Sequence, residues 1–373
     1  MLRTWLTIII TSLHGASAIG QETLPGQRSE TNIDRSEFPR VHEDGRVTFR
    51  INAPEAKAVQ LVPGGSDNGL GQGPFEMTKV ENGNWTFTTE PAVPGFHYYW
   101  FVVDGLLVCD QGTYSYFGYN RECSGVEVPD PNGEFYAIKR VPHGALRSHW
   151  FQSSVTGRWR RAIVYTPPGY DSSETRYPVL YLQHGSGENQ FGWTEQGKAN
   201  FIIDNLLADD ACLPMIVVME NGMIARRAGS NNSMARNSHN EAFADVMIQD
   251  LIPEIDRSFR TLNDREHRAL AGLSMGAGQA LRIGLANPET FGYVGLFSGG
   301  GTSSVPFSSA SGLKLFWGGW GAGEAARFGG TKKLVEQAQA AGINAQWLEV
   351  ERTSHEWQTW RSCLQAFAPL LFR

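Results

Sequence analysis

Near residue 140 the chain changes rhythm, and the two rhythms demand different folds. Up to about residue 128 it runs in short alternating stretches broken by turn pairs. These are Val47-Thr48-Phe49-Arg50-Ile51, Val59-Gln60-Leu61-Val62, Asn84-Trp85-Thr86-Phe87 after the Asn82-Gly83 turn, and His97-Tyr98-Tyr99-Trp100-Phe101-Val102-Val103 closing at Asp104-Gly105. Period-two alternation with Asn-Gly and Asp-Gly turns predicts an all-β sandwich over 38–130. No grouping of acid, base and nucleophile stands out there, so this half reads as a module rather than an active site. From about residue 145 the rhythm becomes strand, turn, helix. Segments 159–167, 178–183, 214–219, 268–273, 294–298, 313–319 and 346–350 read as strands, with helical spacing over 198–207 and over 243–259, the latter bent at Pro253. That alternation predicts an α/β domain over 145–373 with a largely parallel sheet covered on both faces. Residues 131–144 are the expected linker.

The 373 residues suit two domains, and 41% hydrophobic content suffices to bury their cores. With 32 basic against 38 acidic side chains, net −6, there is no cationic surplus to neutralise phosphates. Nucleic acid and an anionic membrane are therefore not expected partners. Residues 1–18 carry Arg3, then an apolar run, then Ala16-Ser17-Ala18. That is the order of a secretory signal, too short to span a bilayer, and it predicts a secreted or periplasmic protein. Polar residues 19–37 read as a flexible leader. In an exported chain, Cys109, Cys123, Cys212 and Cys363 suggest two disulfides, most simply one within each half, with free buried thiols as the alternative. No zinc-site spacing occurs among them, and neither metal nor cofactor is expected.

The chemistry is concentrated in Gly272-Leu273-Ser274-Met275-Gly276, which follows an apolar strand and opens an apolar helix. A strand-to-helix turn of this kind lifts the serine oxygen above the sheet, and the flanking glycines keep side chains out of the turn. The remaining parts follow by elimination in the chain order serine, acid, histidine. Downstream of Ser274 the single histidine is His355, just past the last strand. No aspartate lies between them. Of the glutamates, Glu324 follows the penultimate strand, where the acid belongs, and Glu351 is the reserve. The oxyanion hole needs two backbone N–H groups. Met275 supplies one, and the loop His184-Gly185-Ser186-Gly187-Glu188 the other, with Ser186 favoured over Gly185. His184 reads as a structural hydrogen-bonding residue.

Two resemblances add to this. Asp44-Gly45-Arg46-Val47-Thr48-Phe49-Arg50, Pro94-Gly95-Phe96-His97-Tyr98-Tyr99 and Val103-Asp104-Gly105 resemble the immunoglobulin-like domain, a carbohydrate-binding module of family 48 type, that precedes glycogen-branching and isoamylase-type enzymes. Arg160-Arg161-Ala162-Ile163-Val164-Tyr165-Thr166-Pro167-Pro168-Gly169-Tyr170, Tyr177-Pro178-Val179-Leu180-Tyr181-Leu182-Gln183-His184-Gly185 and His355-Glu356-Trp357 resemble the esterase D-like feruloyl and acetylxylan esterases of carbohydrate esterase family 1. The resemblance implies an α/β hydrolase fold behind an immunoglobulin-like sandwich. It also implies cleavage of feruloyl esters, or of acetyl esters, on plant cell-wall xylan and its oligosaccharides. Trp193 and Trp357 would flank an aromatic acyl group. The chain departs from the family where Glu324 replaces the usual Asp and Glu220 replaces a common Pro. Siderophore esterases, carbohydrate acyltransferases and a carbohydrate-binding protein with a degenerate esterase domain remain alternative readings.

Overall fold

The computed structural model describes residues 24–65, 69–224, 242–300, 307 and 312–373. The signal-sequence reading of 1–18 lies outside the described residues. The first eleven strands among them are β1 (Gln27–Arg28), β2 (Arg40–Val41), β3 (Val47–Asn52), β4 (Val59–Pro63), β5 (Phe75–Glu76), β6 (Thr78–Lys79), β7 (Asn84–Thr88), β8 (Gly95–Val103), β9 (Leu106–Val108), β10 (Ser115–Gly118) and β11 (Arg121–Val128). They form a five-stranded sheet, β1-β2-β3-β7-β6, and a six-stranded one, β10-β11-β8-β4-β5, with β9 paired to β8. Val47 and Phe49 of the first sheet share one core with Leu61, Tyr99, Phe101 and Val126 of the second. Period-two alternation thus turns one side of each sheet inward, as in any two-sheet sandwich.

Residues 27–37, read as part of a flexible leader, belong to this sandwich instead. β1 pairs with β2, and Asn32 bridges to Thr113. The buried Ser29 hydroxyl donates to the Glu127 carbonyl at 3.0 Å and accepts from the Glu127 N–H at 3.1 Å. The segment is anchored through backbone and hydroxyl groups, which leave no apolar period in the sequence. The 131–144 connection is similarly tied down. Asn205 donates to the carbonyls of Phe135 and Ala137, each at 3.0 Å, and Asp204 accepts from the Gly144 N–H at 2.9 Å.

The α/β half contains β12 (Ala145–Ser153), β13 (Arg158–Thr166), β14 (Val179–Gln183), β15 (Ile216–Glu220), β16 (Arg268–Leu273), β17 (Tyr293–Phe297), β18 (Leu315–Gly321) and β19 (Ala345–Val350). They make one sheet in the order β12-β13-β15-β14-β16-β17-β18-β19, antiparallel along β12, β13 and β15 and parallel thereafter. β12 escaped the sequence pattern because only Phe151 and Ser153 of its residues are buried. The helices are α1 (Gly192–Glu195), α2 (Ala199–Ala208), α3 (Ile252–Ser258), α4 (Met275–Ala286), α5 (Ala325–Phe328), α6 (Gly330–Ala340) and α7 (Trp357–Phe367). The bend expected at Pro253 is a π-helical turn, Val246–Leu251, running into α3 with the proline in its first turn.

The longer helices cover the faces their apolar stripes dictate. Ile255, Ala280, Ile283 and Leu334 from α3, α4 and α6 pack on one side of the sheet. Ile202 and Ile203 of α2, with Trp357, Leu364 and Phe367 of α7, pack on the other. Phe96 and Tyr98 of β8 and Cys123 of β11 join that second core, so the outer face of the six-stranded sandwich sheet is buried against the α/β half. This is a sheet of the α/β-hydrolase type. The chain passes from β14 to β15 on one side and to β16 on the other, which leaves a crevice at the carboxyl ends of β14 and β16.

Candidate active site

Ser274 stands where β16 turns into α4, with φ 50° and ψ −109°. This sparsely populated conformation is held by the Ser274 N–H bond to the Phe297 carbonyl at 2.8 Å. The glycines on either side are sterically required. A Cβ at Gly272 would come within 2.7 Å of the Gly276 backbone, and one at Gly276 within 2.7 Å of the His184 carbonyl.

The three residues singled out by elimination come together here. His355, in the loop between β19 and α7, lies with Nε2 3.0 Å from Ser274 Oγ and Nδ1 2.6 Å from Glu324 Oε2. Glu324 closes a short turn after β18, and its side chain is 1% exposed. Its second oxygen accepts from the Gly321 N–H at 2.9 Å and from the Ser298 hydroxyl, while Trp360 Nε1 donates to that hydroxyl at 2.9 Å. With Oε2 facing Nδ1, the imidazole carries its proton on Nδ1 and leaves Nε2 to accept from serine. Phe328 stacks on the His355 ring and Trp360 meets it edge-on, at centroid distances of 5.0 and 5.2 Å, which fixes the ring plane. Glu351, the reserve acid, is exposed in the turn after β19. Ser298 and Trp360 were not legible as site residues, since each acts through a side chain brought in from another strand or helix.

The loop after β14 supplies the opposite wall. Ser186 lines the cleft beside Ser274. Of the two residues expected to offer an oxyanion donor, Gly185 already has its N–H engaged, donating to Glu188 Oε2 at 3.0 Å. His184 is buried, donates from Nδ1 to the Gly185 carbonyl at 2.7 Å and accepts from the Gly222 N–H at 3.1 Å. Burial pushes its pKa down to about 4, so it is neutral and structural. Glu220, at the departure from the family pattern, is a buried partner of Arg160 at 2.6 Å.

The cleft holds a cavity of about 110 Å³ that opens to solvent. Two expectations change here. Trp357 lines the cleft, but Trp193 does not. Trp193 is 1% exposed, donates to the Gln183 carbonyl at 2.9 Å and sits edge-to-face against Phe297 and Trp357 as core. Its apolar area is better buried under the sheet end than presented to a ligand. The sandwich, read as a module apart from the site, contributes Gly64, Phe96, His97, Tyr98 and Tyr119 to the wall. The disulfide reading also fails in this structure, where all four cysteines are free thiols. Cys109 and Cys123 donate to different carbonyls, those of Glu122 and Gly118, and Cys363 is buried in α7.

The family model described as "Putative esterase" matches residues 153–370, more than half of the chain. The endo-1,4-beta-xylanase/feruloyl esterase of Xylanibacter ruminicola is 42% identical over 349 residues, 92% of this chain and 47% of that protein. The chain thus spans about half the length of that relative. Among solved structures, a ferulic acid esterase of Anaeromyces mucronatus aligns over 65% of this chain and 96% of its own, with TM-score 0.55 and 23% identity. The enterobactin esterase of Shigella flexneri aligns over 87% of this chain and 92% of its own, with TM-score 0.64 and 18% identity. At such identities these two establish a shared fold, which for the second extends over most of the chain. With the matching model spanning most of the α/β half, the chain belongs to this esterase family.

Proposed function

We propose that the chain is a serine carboxylesterase that hydrolyses feruloyl and related hydroxycinnamoyl esters on plant cell-wall xylan. The observation that carries the chemistry is the hydrogen-bonded line from Ser274 through His355 to Glu324, opening on a cleft at the sheet's switch point. Ser274 Oγ attacks the ester carbonyl as His355 Nε2 takes its proton, and Glu324 holds the ring and stabilises the imidazolium. The N–H groups of Met275, at the start of α4, and of Ser186 receive the developing oxyanion. The alcohol leaves with the proton from His355. A water deprotonated by the same nitrogen then attacks the acyl-serine and releases the acid. No metal or cofactor enters these steps.

The substrate assignment is supported by the feruloyl esterase name of the 42%-identical relative and by the aromatic wall of Trp357, Tyr98 and Tyr119. We read the sandwich as an immunoglobulin-like domain that packs on the catalytic half and shapes its cleft. The signal-like sequence at 1–18 supports a secreted or periplasmic enzyme, where xylan is accessible.

Hydrolysis of methyl ferulate measured beside a small acetyl ester, with Ser274→Ala as the blank, tests the reading. Ferulate turnover that the substitution abolishes is the expected result. Acetate release alone would move the assignment to an acetylxylan-type esterase. Turnover of neither by a folded protein would refute the esterase reading of this chain.

A further inference from the structure

The loop carrying the Ser186 N–H is held from the other domain. Glu188 is buried, and its two carboxylate oxygens face donors from opposite sides. Oε2 accepts from the Gly185 N–H at 3.0 Å, and Oε1 accepts from the Tyr98 hydroxyl of β8 at 3.1 Å. The Tyr98 oxygen already accepts from Gln196 Nε2 at 2.6 Å and Trp357 Nε1 at 3.1 Å, so its own proton goes to Glu188. A second strut lies one residue away. The Asn120 N–H, in the turn between β10 and β11, donates to the Gly187 carbonyl at 2.9 Å. Gly187 has φ +83°, and a Cβ there would lie 3.0 Å from both Asn120 N and Tyr119 Cα, so backbone meets backbone at this point.

We propose that the β-sandwich is part of the oxyanion machinery, with Glu188 as the positioning residue through which Tyr98 fixes the Gly185–Ser186 backbone against Ser274. The inference rests on the serine-esterase reading above. It assigns the sandwich a role in the chemical step itself.

The geometry requires an acceptor at both oxygens, which only the ionised carboxylate provides. A glutamine, or a protonated Glu188, presents a donor to one of two donors and loses one tie. Burial raises the Glu188 pKa to about 7 against the hydrogen bonds from Gly185 and Tyr98. The titratable groups set against it, Tyr98 on β8 and Cys123 on β11, are themselves pushed up by burial and stay neutral. His97, His355 and Glu356 line the same cleft. Acidification below neutral pH therefore loosens the loop by the same loss that glutamine imposes.

The test uses the full chain and compares wild type, Glu188→Gln, Tyr98→Phe and the double variant, with Ser274→Ala as the blank. Each single substitution is expected to lower kcat on methyl ferulate by roughly ten- to a hundredfold while KM changes less than about twofold, as displacement of an oxyanion donor does. The double variant should fall no further than the worse single one, because both remove the same link. The acid limb of kcat should lose the steepness of one proton in Glu188→Gln, a change that a merely structural role would not produce. Glu188→Gln is isosteric, so it keeps the test valid even where Tyr98→Phe lowers the melting temperature. Wild-type kcat in both single variants, or a rise in KM alone, would overturn the inference while leaving an inactive Ser274→Ala to uphold the esterase reading. Turnover persisting in Ser274→Ala would defeat that reading itself.

Discussion

Ser274→Ala is expected to lower kcat by about 10⁶ and Glu324→Gln by about 10⁴, whereas Glu351→Gln should leave kcat within twofold, roughly, of wild type. In the proposed mechanism the first value follows from losing the nucleophile, since only the oxyanion donors and substrate binding remain. The second follows from hydrogen-bond inventory. Glu324 Oε1 accepts from Gly321 N–H and the Ser298 hydroxyl, and Oε2 accepts from His355 Nδ1. A glutamine keeps the oxygen at one of these places and puts an NH₂ at the other. With the NH₂ toward His355, the ring is driven to the tautomer protonated at Nε2, which cannot take the serine proton. With the NH₂ toward Gly321, the turn that carries the side chain is left with donor against donor. Glu351 is exposed and has neither geometry. Steady-state kcat on one ester for the three variants decides the assignment, and an equal loss in Glu351→Gln would reverse it.

What the sequence displayed and what it concealed divide along the range of the interactions. The strand, Gly-x-Ser-x-Gly turn and helix around Ser274 are local, so spacing alone locates them. His355 and Glu324 are distant in sequence, but the order of elements leaves few places for them. Tyr98 is different. It sits in a strand whose residues 95–99 are all buried, with Tyr99 and Phe101 in the sandwich core and Phe96 and Tyr98 in the core of the other domain. The crowded run of rings in His97-Tyr98-Tyr99-Trp100-Phe101 was the available signal. Grouped above with the alternating stretches, this run does not itself alternate as a strand with one solvated face would, and both its faces are covered. Trp193 was misread for a related reason, because an indole with a satisfied N–H next to a catalytic loop looks the same in sequence whether it faces ligand or core. Glu188 lies in the loop after β14, yet the hydroxyl it binds comes from ninety residues away.

Arg361→Met is expected to destabilise the chain by about 3–5 kcal/mol, because it leaves a buried carboxylate without its main partner. Arg361 on α7 is fully buried and forks onto Glu127 of β11, with Nη1 and Nη2 at 2.6 and 3.0 Å from the two oxygens. Nε also donates to the Gln196 carbonyl at 2.9 Å, and the guanidinium lies 4.4 Å from the Tyr136 ring centroid. Burial works to raise the Glu127 pKa, but the Arg361 charge and hydrogen bonds outweigh it and hold the carboxyl below its usual range. A depressed carboxyl contributes stability that is present above its unfolded pKa of about 4.3 and is lost as pH falls through the folded value. The wild type should therefore lose stability in acid more steeply than a variant without Glu127. After Arg361→Met, Lys198 at 3.8 Å is the ion-pair partner that remains among the described residues. The double variant Arg361→Met with Glu127→Gln should recover most of the loss, since the cost lies in the stranded charge rather than in the absent pair. Urea midpoints of the single and double variants measure this, and a double variant as unstable as Arg361→Met would mean that packing around α7 is the cause. The pair joins the sandwich to the helix that follows His355, so its orientation bears on where Tyr98 stands above the cleft. The docking surface is apolar around Phe96, Tyr98 and Cys123, and the directional Arg361–Glu127 fork set in it favours one alignment of the two domains where an apolar surface alone tolerates sliding. The cleft wall is shared between the domains, and the proposed oxyanion loop would need that single alignment to hold its geometry.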